Sequence, residues 1–115
     1  MNYNDERGTI TGIIQSGVWQ EMNYITTRSG VVRGNHYHKK TQELFFIISG
    51  QIRITIYDVN KNDSANIFIA KTGDAFIIQP YEVHRFETQT DSSWINMLSS
   101  PIGKDDDADI FIDNR

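Results

Sequence analysis

In ELFFIISGQIRITIYD, Glu43 to Asp58, two runs rich in Ile, Phe and Tyr flank Ser49-Gly50. Ile52, Ile54 and Ile56 alternate with Arg53, Thr55 and Tyr57. A period of two sends one set of side chains to a core and the other outward, so the second run reads as a half-buried strand. Glycine tolerates positive φ, which predicts a β-hairpin turning near Gly50. The same alternation of short β-rich runs and turn residues recurs along the chain. Residues 9–14, 19–27, 30–38, 65–70, 75–79, 83–88 and 93–98 are further strand candidates. The turn-rich 58–65 predicts a second hairpin, and Pro80 ends its strand by removing a ladder donor. Helical periodicity is absent. Eight or nine strands predict an all-β chain, closed into a barrel or a two-sheet sandwich rather than left as an open sheet.

The chain has 115 residues, 38% hydrophobic and 23% charged, a globular balance and too apolar for a disordered chain. A single core suits this length, because two would leave each half short of buried surface. Eleven basic against fifteen acidic side chains give a net charge of −4, and Lys39-Lys40 is the one pair of adjacent cations. That argues against a nucleic-acid partner, whose phosphates need clustered positive charge. Without cysteine, disulfides, thiolate catalysis and Cys-based zinc sites are excluded. The start, MNYNDERGTI, lacks the pattern of a signal peptide, and no run approaches the roughly 20 apolar residues of a membrane span. A cytoplasmic protein with no membrane partner is expected. The C-terminal KDDDADIFIDNR differs in kind: its aspartates should keep Lys104 to Asp107 solvated, whereas Ile110, Phe111 and Ile112 are apolar. The expected organisation is a β-barrel over 1–98 and an acidic tail over 99–115. The apolar end would dock on the barrel or on a partner subunit, the alternative being a frayed terminus.

The three histidines of the chain are His36, His38 and His84. Residues two apart on a strand share a face, so His36 and His38 point the same way and Tyr37 points away. Glu43 has the opposite parity and reaches that face only if Lys39 to Gln42 break the alternation with a turn or bulge. His84 follows Pro80 and shares its face with Phe86 and Thr88, while Arg85 and Glu87 are directed outward. Three neutral imidazoles and a carboxylate suit Zn, Fe, Mn, Ni or Co and are too nitrogen-rich for Ca or Mg. Open positions on such an ion would make the site reactive rather than structural. A lone His-x-His arises often by chance; the joint spacing is more specific. Five residues separate Gly30 from His36, four separate His38 from Glu43, and six separate Glu43 from Gly50.

That spacing resembles the first motif of the cupin superfamily at every specified position. Gly73, Pro80 and His84 resemble the second, with one extra spacer after Gly73, Glu82 where the family has glycine and Thr88 where it has asparagine. These departures touch a turn and a scaffold position rather than ligation. The resemblance implies a double-stranded β-helix, the jelly-roll cupin barrel. It also implies His36, His38, Glu43 and His84 as ligands of a divalent metal ion (Zn, Fe, Mn or Ni). ERGTITGI and SGVVRGNHYHKKTQELFFIISGQIRI are further similar to cupins of bacterial nucleotide-sugar pathways: capsule-type hexulose reductases, dTDP-dehydrorhamnose epimerases and dTDP-sugar ketoisomerases. In these the Arg-Gly-x-His run lies at the barrel mouth, which implies that Arg33 meets a phosphate or sugar oxygen. The simpler alternative is an exposed arginine beside a glycine required by the backbone.

Three functions follow as expectations. The first is an isomerase or epimerase of surface polysaccharide biosynthesis, acting on a keto-sugar nucleotide. There a metal polarises the ketone and a base at the mouth, Tyr37 or Glu82, moves the adjacent proton. Alternatively His36 and His38 carry protons without metal. The second is a metal-dependent dioxygenase or lyase acting on a small molecule. The third is a non-catalytic sugar-binding cupin, with Arg28, Arg33, Lys39, Arg53 and Tyr57 holding an anionic sugar. Glu43, Phe45 and Ile47 lie on one face of their strand and Leu44, Phe46 and Ile48 on the other. Covering both faces points to a subunit contact and a homodimer.

Overall fold

The computed structural model describes residues 1–102 and 108–115, so the expected solvation of Lys104 to Asp107 lies outside the described residues. Strands β1 (Asn2–Asp5) and β2 (Gly8–Thr11) form a separate antiparallel hairpin. The remaining strands make two sheets facing each other. One has the order β3 (Glu21–Thr27), β10 (Ser92–Leu98), β5 (Glu43–Ser49), β8 (Ala75–Ile78). The other has the order β11 (Phe111–Ile112), β4 (Val32–Tyr37), β9 (Glu82–Thr88), β6 (Gln51–Asp58), β7 (Asn66–Lys71). Every pairing is antiparallel. This is the jelly-roll arrangement of a cupin. Among the described residues no helix is long and apolar enough to cross a membrane.

The period-two pattern does what it predicts for burial. Ile52, Ile54 and Ile56 of β6 meet Phe45 and Ile47 of β5, with Ile78, Phe86 and Trp94, in one core between the sheets. Burying such side chains contributes about 1.5–3 kcal/mol each. The second hairpin is present, with Ile56 opposite Asn66 and Gln51 opposite Lys71.

The hairpin expected at Gly50 is not. β5 and β6 lie in different sheets, and Gly50, with φ +94°, is the corner where the chain crosses between them. A Cβ there would stand 2.6 Å from the Asp91 carbonyl oxygen. Asp91 belongs to the return crossing from β9 to β10, so the two corners press against each other. Composition reports a turn at Ser49-Gly50 but not whether the strands it joins pair. Among the described residues there are eleven strands rather than eight or nine, because residues 2–5 and 111–112 add short ones. The 9–14 run is a strand only to Thr11, paired with β1 rather than with either large sheet.

Candidate active site

β4 and β9 run antiparallel with Val32 opposite Glu87, Arg33 opposite Phe86 and Gly34 opposite Arg85, and then the register slips to place His36 opposite His84. Asn35 is the extra residue of a β-bulge. The slip changes parity: Arg33 and His36, three apart, both line the interior cavity, which a regular strand forbids. Gly34 makes it possible, with φ +127° and a would-be Cβ 2.8 Å from the Arg85 Cα. The sequence Arg-Gly-Asn-His is therefore a device for showing a guanidinium and an imidazole to one cavity.

His38 follows β4 and shares the face of His36, their ring centres 5.5 Å apart; His36 and His84 lie 4.4 Å apart and His38 and His84 5.6 Å. The nearest ligand atoms of the three rings lie within 4.8 Å of one another. Glu43 approaches from the opposite sheet, at the start of β5. Residues 39–42 break the alternation, bringing Glu43 Oε1 into direct contact with His38 Nε2 and to 3.6 Å from His84 Nε2. His38, Glu43 and His84 are 2%, 4% and 3% exposed. A buried carboxylate needs its lone pairs satisfied, and Asn96 Nδ2 donates to Glu43 Oε2 at 3.0 Å. Asn23 continues the chain, donating to Asn96 Oδ1 at 3.0 Å.

The electrostatics separate the imidazoles. Burial pulls the His38 pKa down, but the hydrogen bond and charge of Glu43, with help from Asp109, more than offset it and hold it above the ordinary value. Burial likewise raises the carboxyl of Glu43, and His38, His84 and Asn96 outweigh it, so Glu43 stays below its usual range. His38 and Glu43 thus each favour the charged form of the other. His84 is pushed down to about 4, chiefly by burial. His36 is also lowered, by burial and then by the charge on His38. Two imidazoles held neutral by burial therefore stand beside the hydrogen-bonded His38–Glu43 pair.

The donor set fits a divalent metal. His38 Nδ1 and His84 Nδ1 each donate to a backbone carbonyl, of Asp109 at 2.5 Å and of Glu82 at 3.2 Å. A carbonyl oxygen can only accept, so both Nδ1 atoms carry protons and both Nε2 atoms turn inward, that of His38 onto Glu43, the orientation a metal-binding histidine requires. Nitrogens of His36, His38 and His84 converge, and Glu43 stands against His38 and His84.

The cavity holds about 190 Å³ and is walled by Ile25, Phe45, Phe86 and Trp94, with Arg33, His36, Glu43, His84 and Asn96 polar. A larger recess of about 620 Å³ lies beside it, bordered by Thr26, Thr27, Arg28, Ser92 and Arg33. Arg33 lines both. Its Nε donates to Thr27 Oγ1 at 2.9 Å and its Nη2 to the Thr26 carbonyl at 3.4 Å, fixing the guanidinium at the junction.

Four other expected site residues lie elsewhere. Tyr37 points away from the histidines, as its parity requires, and stacks between Tyr81 and Phe111 at 6.3 and 5.6 Å. Glu82 is spent on the turn before β9: its Oε1 accepts from the Gln79 N–H at 2.6 Å. Arg53 alternates with the core isoleucines and so faces outward, opposite Glu87. Tyr57 has the same outward parity, and its hydroxyl donates to Asp113 Oδ2 at 2.7 Å. Neither candidate base at the mouth therefore touches the cavity. Asn96 went unrecognised in the sequence, although its inward position between Trp94 and Leu98 was a signal: a polar side chain buried in an apolar strand has a partner to satisfy. Asp109 left no comparable signal.

The polysaccharide biosynthesis C-terminal domain family matches residues 3–109. The chain belongs to that family. By residue similarity the chain matches a UDP-2-acetamido-2,6-beta-L-arabino-hexul-4-ose reductase of Pseudomonas aeruginosa, 30% identical over 57 residues, 50% of this chain and 15% of the reductase. Among solved structures, the capsular polysaccharide assembling protein CapF of Staphylococcus aureus superposes with a TM-score of 0.74 at 22% identity, over 97% of this chain and 33% of CapF. The sugar 3,4-ketoisomerase QdtA of Thermoanaerobacterium thermosaccharolyticum, in complex with TDP, superposes with a TM-score of 0.75 at 19% identity, over 98% of this chain and 83% of QdtA. This member of the family thus spans a third or less of the reductase and of CapF, and most of the ketoisomerase. At these identities the superpositions establish the shared cupin fold.

Proposed function

We propose that the chain is an isomerase or epimerase of surface polysaccharide biosynthesis that moves a proton next to the ketone of a sugar nucleotide. The observation that carries this reading is the convergence of His36, His84 and the His38–Glu43 pair in a small cavity that shares Arg33 with a larger recess. At about 190 Å³ the cavity suits one part of a ligand, since pockets for whole small molecules run to roughly 300–1,000 Å³. The reacting sugar would occupy the cavity and the rest of the nucleotide the recess. Arg33 between them offers the planar fork that binds phosphate. A family devoted to polysaccharide biosynthesis and a structural relative crystallised with TDP support the same substrate class.

His36 lines the cavity and is neutral at pH 7, so it accepts the proton from the carbon beside the ketone. Negative charge then spreads onto the ketone oxygen; return of the proton to the other face gives an epimer, and its return to the former ketone carbon, with the hydroxyl proton passing to the old ketone oxygen, gives the ketone-shifted isomer. His38 is not on the cavity wall; Glu43 favours its charged form, which would place positive charge near the developing enolate. A divalent ion held by His36, His38, Glu43 and His84 would add polarisation of the ketone. In that loaded form His36 is a ligand, and the proton passes to another base; without metal the imidazoles carry it themselves. Titrating Zn²⁺, Mn²⁺, Fe²⁺ and Ni²⁺ into chelator-stripped protein, with keto-sugar nucleotides as substrates, separates the two. Full turnover without metal leaves the work to the histidines; no turnover under any condition removes the isomerase reading.

A homodimer belongs to the same proposal. The outer face of the four-stranded sheet presents Met22, Tyr24, Phe46, Ile48, Ile95 and Met97 with no charged side chain among them, and Met22 and Tyr24 are 67% and 65% exposed. A second copy of this chain is the occupant proposed for that face, because two uncharged surfaces meet without like-charge repulsion.

A further inference from the structure

The residues after the acidic run lie against the strand that carries the histidines. Phe111 pairs with Tyr37 and Ile112 with His36 as β11 on β4, and the Asp113 N–H donates to the Asn35 carbonyl at 3.2 Å. Phe111 stacks on Tyr37, the Lys39 ammonium sits 4.1 Å from the centre of the Phe111 ring, and Tyr57 bonds Asp113. At the head of this strap, Asp109 makes two sets of contacts. Its carboxylate accepts from the N–H groups of Lys39, at 2.8 Å, Lys40, at 3.0 Å, and Thr41, at 3.0 Å, and from the Thr41 hydroxyl at 2.9 Å. Its backbone carbonyl accepts from His38 Nδ1 at 2.5 Å.

We infer that Asp109 is a positioning residue of the candidate active site, acting through His38 and through the turn that joins His38 to Glu43. Residues 39–41 must break strand alternation for Glu43 to meet His38, and in doing so they leave three consecutive N–H groups without ladder partners; one carboxylate satisfies all three. The carbonyl of the same residue holds the proton of His38 on Nδ1 and turns Nε2 toward Glu43. One residue on a distant part of the chain thus fixes both the spacing and the tautomer of the His38–Glu43 pair. This holds whether that pair binds metal or only carries charge, and it rests on the proposed function only in taking the pair to be working groups.

The experiment uses the full chain with ¹⁵N-labelled histidine. Long-range proton–nitrogen spectra at neutral pH are read for wild type, Asp109→Ala, Asp109→Asn and Tyr57→Phe, with Zn²⁺ affinity measured by competition against a chromophoric chelator. Expected for Asp109→Ala are loss of the exchange-protected His38 Nδ1 proton and a fall of about 10- to 100-fold in Zn²⁺ affinity, the usual effect of removing a residue that orients a ligand. Asp109→Asn keeps an acceptor for the turn and recovers part of both, and it is read alone if the alanine variant does not fold. Tyr57→Phe loosens the strap through Asp113 and leaves the His38 signal intact, which separates positioning from mere stability. An unchanged His38 signal in folded Asp109 variants overturns the inference. A wild-type protein that shows the signal yet turns over no sugar nucleotide overturns the proposed function and leaves this inference standing.

Discussion

Burial and the charges around it shift the pKa of each histidine, and that can be read out by pH. An imidazole that titrates at 6.5 in the unfolded chain and at about 4 when folded, as His84 does, is a group the native state keeps neutral. As pH falls below 6.5 the unfolded chain takes up a proton that folded His84 refuses, so stability present above 6.5 is lost between there and about 4, an effect of about 3 kcal/mol. His36 acts in the same direction. His38 acts oppositely: its raised pKa gives stability that is full below its unfolded value and is lost as pH rises through the folded one. Urea unfolding of metal-free protein at pH 7 and pH 4.5 should show the acid loss, and it should shrink in a His84→Gln variant. Glu43→Gln keeps the shape and the Asn96 partner but removes the charge opposite His38. It should lower the His38 pKa, seen by NMR titration, and weaken Zn²⁺ binding at least about 10-fold.

Single elements carry the geometry, and β4 is the decisive one. Gly34→Ala places a Cβ 2.8 Å from the Arg85 Cα at a φ of +127°, so the bulge cannot persist. A loss of at least about 2 kcal/mol in stability is expected from the forced backbone alone. Repair of the strand to regular pairing would point either Arg33 or His36 away from the cavity, so thermal unfolding and substrate affinity should both suffer. Much of this level was legible in the residues. The alternation of Ile52, Ile54 and Ile56 marked the core face of β6, and the spacing from Gly30 to Gly50 marked His36, His38 and Glu43. Pairing was not legible: Gly50 looks like a hairpin glycine whether its strands pair or cross to opposite sheets, because composition reports φ and not partners. Arg53 and Tyr57 were attractive by charge and polarity, yet their own alternation with the isoleucines already pointed them outward. The Asp109 contacts were out of reach, since an Asp beside Ile110 has no local reason to bond a turn about seventy residues away.

At the scale of the molecule, the candidate site exists only because two sheets close on each other: His36 and His84 come from one, Glu43 and Asn96 from the other. On the outer face of the four-stranded sheet, Met22 and Tyr24 stand exposed. The β1–β2 hairpin pairs with neither large sheet, and two strands alone are marginal in water. Light scattering should therefore give twice the 13.3 kDa chain mass, and Tyr24→Lys with Ile95→Lys should return it to one chain. A wild-type monomer refutes the dimer. The proton chemistry has a more direct test, deuterium uptake from heavy water into a keto-sugar nucleotide, followed by NMR with and without added metal. The expected result is exchange at the carbon beside the ketone, reduced about 100-fold or more in His36→Gln. Absence of exchange with every keto-sugar nucleotide, metal-loaded or metal-free, would contradict the assignment of His36, His38, Glu43 and His84 as a proton-transfer site.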